Sequence, residues 1–265
     1  MSRHFQACEQ ANFEQAVESL EFSRMHLEKI LARIQAVTNL NSQGAKFLDI
    51  GSAQGQVLIA AARLGFHAEG VEPWLPAHAV AQQIANQQSL TIKMHHCRAE
   101  EIDLPPASFD FVHANSVLEH VENLPKVLQN IFRILKPGGV FWFCSTNSLC
   151  PHQIEISKFP LFSWYPNALK KRIMLWAKKK HPTLIGNTQT PAMHWFTPGK
   201  TRKLLREAGF DKIFDRWDIR LTSEGGNMHK VALKIIRSTA LTKLLADVFV
   251  PHCSYLAIKP VSTEK

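Results

Sequence analysis

Residues 46–74 read KFLDIGSAQGQVLIAAARLGFHAEGVEPW and hold the first set of residue types that could do chemistry. Asp49, Gly51, Ser52, Ala53, Gln54 and Gly55 form a turn after the short apolar run of Phe47, Leu48 and Ile50. Glu72 stands at the end of a second short run, His67 to Val71. A glycine-bracketed turn ahead of a helix leaves backbone N–H groups pointing outward, and an acid after the next strand can accept from the hydroxyls of a ribose. This chemistry is recognition of a nucleoside-bearing ligand. A dinucleotide grip starting at Gly51 wants further glycines at 53 and 56, where the chain has Ala53 and Gln56. That disfavours a pyrophosphate. S-adenosylmethionine carries no phosphate, needs a less close backbone approach, and is the ligand expected here.

The elements that must position this turn follow from periodicity. Val57, Leu58, Ala60, Ala61 and Leu64 repeat at helical spacing, and Gly65 closes that helix. Further helices are predicted over 76–86, 124–135, 167–180 and 198–208, and over much of residues 1–40. Strands are predicted over 47–50, 67–71, 90–94, 109–114, 140–144, 212–219 and 253–258. Strands alternating with helices make a mostly parallel sheet with helices on both faces. Asn115 and Ser116 follow the fourth strand, at the carboxyl end where ligands of such sheets sit. Thr197 is a good helix N-cap and Pro198 a good first position.

The motifs are D-I-G-x-x-x-G over 49–55, G-V-E over 70–72, L-E-H-V over 118–121, I-L-K-P-G-G over 134–139, and H-x-F-T over 194–197 followed by A-G-F over 208–210. Together they resemble the class I S-adenosylmethionine-dependent methyltransferases, in the group that includes the quinone-biosynthesis enzymes. The resemblance implies an α/β, Rossmann-like sheet of seven strands, mostly parallel, with the last strand antiparallel and a helical cap insert. It implies S-adenosyl-L-methionine as cofactor, held by Asp49, Gly51, Ser52, Ala53, Gln54, Gly55 and Glu72. Pro73 would pack on adenine. Trp74 is either a second adenine contact or ordinary core. The backbone of Ala99 and Glu100 would meet the adenine edge, although Arg98 replaces the family's aspartate. Asn115 and Ser116 would lie near the transferred methyl. Some quinone O-methyltransferases bind a divalent metal with a further glutamate where this chain has Ser116. Too few carboxylates then remain for a hard-metal site, and no metal is expected. Glu119 and His120 otherwise cap the following helix.

Methyl transfer to oxygen or nitrogen needs a proton removed, so a general base helps. His194 is the expected base, with His120 and His113 as rivals, against the plainer reading of His194 as a helix-start residue bonded to backbone. The chain has 265 residues, is 45% hydrophobic and carries a net charge of +9. It suits one α/β domain with insertions: an N-terminal helical segment 1–45, and a methyltransferase domain 46–265 with a cap insert 147–196 and a second helical insert 221–250. Residues 156–206 contain no acid but many lysines, arginines and aromatics. Such a segment can cap a pocket with a solvated basic face, or lie on an anionic membrane to take a lipid-like acceptor. Nucleic acid fits less well, because the aromatics sit among Leu, Ile and Met. Five scattered cysteines without a C-x-x-C pair suggest neither zinc nor disulfides, as in a reducing cytoplasm. No signal core or membrane span is expected, which places the chain in the cytoplasm or peripherally on a membrane. The acceptor is expected to be small and apolar or amphipathic; oligomeric state is left open. The alternatives are a non-catalytic binding protein of the same fold, using its basic insert as interface, and an RNA methyltransferase.

Overall fold

The structure is a computed structural model, which describes residues 13–153, 155–185 and 190–261. Its strands are β1 (Lys46–Ile50), β2 (His67–Val71), β3 (Ile92–His95), β4 (Phe109–Asn115), β5 (Leu135–Thr146), β6 (Lys212–Asp215) and β7 (His252–Ile258). They form one seven-stranded sheet in the order β3-β2-β1-β4-β5-β7-β6. β1 pairs in parallel with β2 and β4, and β2 with β3, whereas β6 and β7 are antiparallel. This is the expected doubly wound architecture. The chain packs as two compact units, one built on the residues up to Ala114 with 130–141 and the stretch from Lys259, the other on 115–129 and 142–258.

In the first unit, helix α1 (Leu20–Gln35) buries Leu20, Leu27, Ile30, Leu31 and Ile34, the stripe its spacing predicts. Helices α2 (Gln56–Arg63) and α3 (Leu75–Gln87) follow β1 and β2. Both faces of β1 are covered, so Phe47, Leu48 and Ile50 are all buried. Phe47 meets Phe111 edge-on at 5.1 Å and Phe66 at 5.5 Å. Helix α4 (Leu124–Ile134) leads directly into β5, which starts earlier than predicted. Lys136-Pro137-Gly138-Gly139 lies ahead of the strand predicted over 140–144. Gly138 does take a left-handed φ of 77°, but its N–H bonds Lys259 O and Gly139 O accepts from Lys259 N, so the turn itself is paired.

The second unit holds α5 (Asn167–Lys180), α6 (Pro198–Glu207), α7 (Arg216–Ile219), α8 (Asn227–Ile236) and α9 (Ala240–Asp247). One expectation is corrected here. The strand predicted over 212–219 stops at Asp215, whose side chain accepts from the N–H of Trp217 and of Asp218 and so caps α7. The expected helical insert 221–250 holds two helices, because Thr239 accepts from Thr242 N and starts α9 anew. Asp215 also pairs with Arg202 at 2.8 Å and Lys243 at 3.2 Å. Among the described residues, no helix is long and apolar enough to cross a membrane.

Candidate functional site

In the first unit the turn and the acid meet. Gly51 and Gly55 take φ values of 70° and 81°, and Gly51 N and Ser52 N both bond Val71 O, which ties the turn to the end of β2. A Cβ on Gly55 would sit 2.6 Å from Ala81 Cβ, so this glycine serves close helix packing as well as turn geometry. Glu72 lies at the carboxyl end of β2. One oxygen accepts from Ala53 N at 3.0 Å and the other from Trp74 N at 2.9 Å. The carboxylate is thus fixed beside the turn. Ala53 is left-handed (φ 45°), a conformation that favours glycine. Gln54 is half-buried and accepts from Gln56, whose amide also reaches Ser19 on the N-terminal segment.

Other predicted cofactor residues serve the turn from below. Asp49 is buried, and His113 Nδ1 donates to it at 2.7 Å. Ser52 is buried with its hydroxyl 3.7 Å from Met94 Sδ. The carbonyls of Ala99 and Glu100 accept from Asn130 Nδ2 at 3.2 and 3.0 Å. Pro73 is exposed and Trp74 is 37% exposed, so the tryptophan is not core. Two histidines that the sequence did not single out brace this loop: His78 Nε2 bonds Glu72 O at 2.8 Å and His96 Nε2 bonds Pro73 O at 3.0 Å.

The second unit gathers the acid–base groups. Asn115 and Ser116 are exposed at the end of β4, and Ser116 is left-handed (φ 54°) with its N–H on Cys144 O. Strain of this kind in a non-glycine residue is a mark of functional loops. Glu119, His120 and Glu155 bring one ligand atom each to within 4.8 Å of one another. Glu119 is 1% exposed, and Ser145 Oγ donates to it at 2.6 Å. Burial lifts its carboxyl to about 7, against the Ser145 hydroxyl and its own N–H, with Glu155 adding repulsion. Burial also raises Glu155 and lowers His120. His120 Nε2 lies 3.9 Å from Glu155, and the backbone of Thr190 and Pro191 works against the lowering of its ring by burial. Glu155 is the member that sequence reading missed; its one signal is that it is the last acid before the acid-free stretch. The donor set of two carboxylates and an imidazole is chemically suited to a divalent cation.

His194 is tied down. Its Nε2 donates to Val121 O at 2.9 Å, its N–H to Glu119 O at 3.1 Å, and its carbonyl accepts from Thr146 Oγ1. In the cap segment, α5 buries Lys170, Met174 and Ala177 and leaves Leu169 and Trp176 more than two-fifths exposed. One lysine of this basic helix therefore points inward.

The sequence model of a family described as a methyltransferase domain matches residues 22–213. A ubiquinone biosynthesis O-methyltransferase of Maricaulis maris (strain MCS10) is 38% identical over 105 residues, 39% of this chain and 41% of the relative. One of Cereibacter sphaeroides (strain ATCC 17025 / ATH 2.4.3) is 29% identical over 171 residues, 64% of this chain and 62% of the relative. The chain thus spans less than two thirds of these curated relatives' length. An S-adenosylmethionine-dependent methyltransferase structure from Mesorhizobium loti superposes with a TM-score of 0.57 at 18% identity, covering 83% of this chain and 93% of that one. Phosphoethanolamine N-methyltransferase 2 of Haemonchus contortus, solved with S-adenosyl-L-methionine, gives 0.53 at 20% identity, covering 82% of this chain and 49% of that one. At those identities the likeness is one of fold.

Proposed function

The chain belongs to the methyltransferase-domain family, and on that footing we propose that it transfers the methyl group of S-adenosylmethionine to an oxygen or nitrogen of a small, apolar or amphipathic acceptor. The observation that carries the reading is Glu72, held beside the Gly51–Gly55 turn by the N–H groups of Ala53 and Trp74. A carboxylate so fixed suits the two hydroxyls of a ribose, and the exposed Pro73 and Trp74 suit an adenine face. Asp49 and Ser52 then hold the turn from beneath, and Ala99 and Glu100 form the far wall. In the reaction, the acceptor's lone pair bonds the methyl carbon, the carbon–sulfur pair stays on sulfur, and S-adenosylhomocysteine leaves. The sulfonium methyl is already activated, so the protein's part is alignment and removal of the acceptor's proton.

His120 is the better candidate base than His194. Glu155 faces its Nε2, and burial favours its neutral form over the opposing pull of the Thr190 and Pro191 backbone. The Nε2 hydrogen of His194 is committed to Val121 O, which suits a positioning role. Asn115 and Ser116 would flank the methyl. His120→Asn should lower kcat by about 10²–10⁴, the range for general bases, with S-adenosylhomocysteine affinity unchanged. Equal turnover would remove the assignment. Loss of turnover on chelation, restored by magnesium, would make the Glu119–His120–Glu155 cluster a cation site instead.

For the acceptor, the names of the curated relatives favour oxygen, and the aromatic 147–196 insert favours an apolar body. Contact with an anionic lipid surface is supported by α8 and α9. Met228, Val231 and Ile235 on one and Leu241, Leu244 and Leu245 on the other are exposed, beside Lys230 and Lys234. Flotation with anionic but not neutral liposomes tests this; no flotation with either removes it.

A further inference from the structure

Lys170 lies on the inner face of α5, only 2% exposed, among Phe162, Met174, Ala177 and Trp195. Its Nζ donates to Ser163 O at 3.0 Å and stands 4.5 Å from the centroid of the Trp195 ring. No acid occurs between residues 156 and 206, and among the described residues no carboxylate offsets its charge. Burial, with Lys200 nearby, lowers its ammonium to about 8, so near neutrality it still carries a proton. Two further polar groups beside it are buried without a hydrogen-bond partner, Ser163 Oγ and Trp195 Nε1. A buried ammonium without a counter-charge, next to two stranded polar groups, is unfavourable for stability alone. It is what a site for a small anion looks like before the anion arrives.

We propose that Lys170, Ser163 and Trp195 bind a carboxylate group of the acceptor beneath the 147–196 insert. One ammonium matches one negative charge, and the hydroxyl and indole N–H supply the neutral donors that a carboxylate's two oxygens can share. Lys200 adds a second positive charge nearby, so phosphate is the competing anion that the test must separate. A cavity of about 530 Å³ is lined in part by Ile156 and Phe159, which pack in the same apolar cluster as Phe162 and Trp195. From Phe159 the ring contacts run to Phe162 at 6.0 Å and on to Trp195 at 6.0 Å. Phe159 stands between Lys158 and Leu161, both left-handed without being glycine (φ 65° and 56°), so this wall is the strained part of the cavity. On this reading the acceptor is an acid whose carboxylate is held at Lys170.

The inference rests on the methyl-transfer reading only in calling the ligand an acceptor, so its test uses neither donor nor turnover. Sodium benzoate, benzamide and inorganic phosphate are titrated into the full chain by calorimetry, with S-adenosylhomocysteine measured separately. Benzoate should bind at least tenfold more tightly than benzamide or phosphate. Lys170→Met should lose at least tenfold in benzoate affinity, while its unliganded melting temperature equals or exceeds that of the wild type. Ser163→Ala should weaken benzoate severalfold. Benzoate and benzamide binding alike, or phosphate binding as well as benzoate, would overturn the assignment. A Lys170→Met chain that melts lower than the wild type, or fails to fold, would make the lysine a structural tie and likewise overturn it. Failure of benzoate with homocysteine binding intact would leave the methyl-transfer reading standing.

Discussion

Replacing Glu119 by glutamine should make the protein's stability less dependent on pH. Glu119 is 1% exposed and its carboxyl is lifted from 4.5 to about 7 by burial. A carboxyl raised on folding contributes stability that is fully present below its unfolded value and is lost as pH climbs through its folded value. The window here runs from about 4.5 to about 7. A rise of that size corresponds to roughly 3 kcal/mol between the two protonation states. Glutamine keeps the shape and an oxygen for the Ser145 hydroxyl, but cannot ionise. Urea unfolding of both proteins at pH 4.5 and pH 8 reads the effect as a difference of differences. The variant should gain about 2–3 kcal/mol on the wild type between those pH values. The same gap at both would mean that Glu119 titrates like an exposed acid, and the case for an acid–base cluster at Glu119, His120 and Glu155 would lose its electrostatic basis.

Gly55→Ala should destabilise by about 2 kcal/mol or more, because it combines a left-handed backbone with a Cβ placed 2.6 Å from Ala81 Cβ; a melting temperature equal to wild type would contradict this. Asp215→Ala removes the cap of α7 and the partner of Arg202 and Lys243, and should cost about 2–4 kcal/mol by chemical denaturation. A loss below about 0.5 kcal/mol, the scale of an ordinary surface change, would show that the network is not structural.

The sheet was legible because local and global signals agreed. His67–Val71 is a strand at the predicted bounds, and Asn167–Lys180 a helix at the predicted bounds. What escaped the sequence was set by long-range packing or by polar side chains acting on the backbone. Asp215 turns a strand into a helix through two N–H bonds that a periodicity reading does not count. Thr239 divides the helical insert 221–250 into two helices. Lysines are usually solvated, and nothing in the sequence marks Lys170 as the exception that packs against Trp195. Glu155 is invisible beside Glu119 and His120 until the chain folds back on itself. The turn and its acid were read correctly as neighbours, but the braces His78 and His96 were not, since nothing in their spacing points at the Glu72–Pro73 backbone.

The central claim is that the Gly51–Gly55 turn and Glu72 hold S-adenosylmethionine. Calorimetry of S-adenosylhomocysteine with wild type and Glu72→Ala tests it most directly. The account predicts binding to the wild type, weakened in the variant by about 1.5–3 kcal/mol, the scale of a lost charged hydrogen bond, or roughly tenfold to a hundredfold in Kd. A wild-type chain that binds none, or a variant that binds as well as wild type, would contradict it.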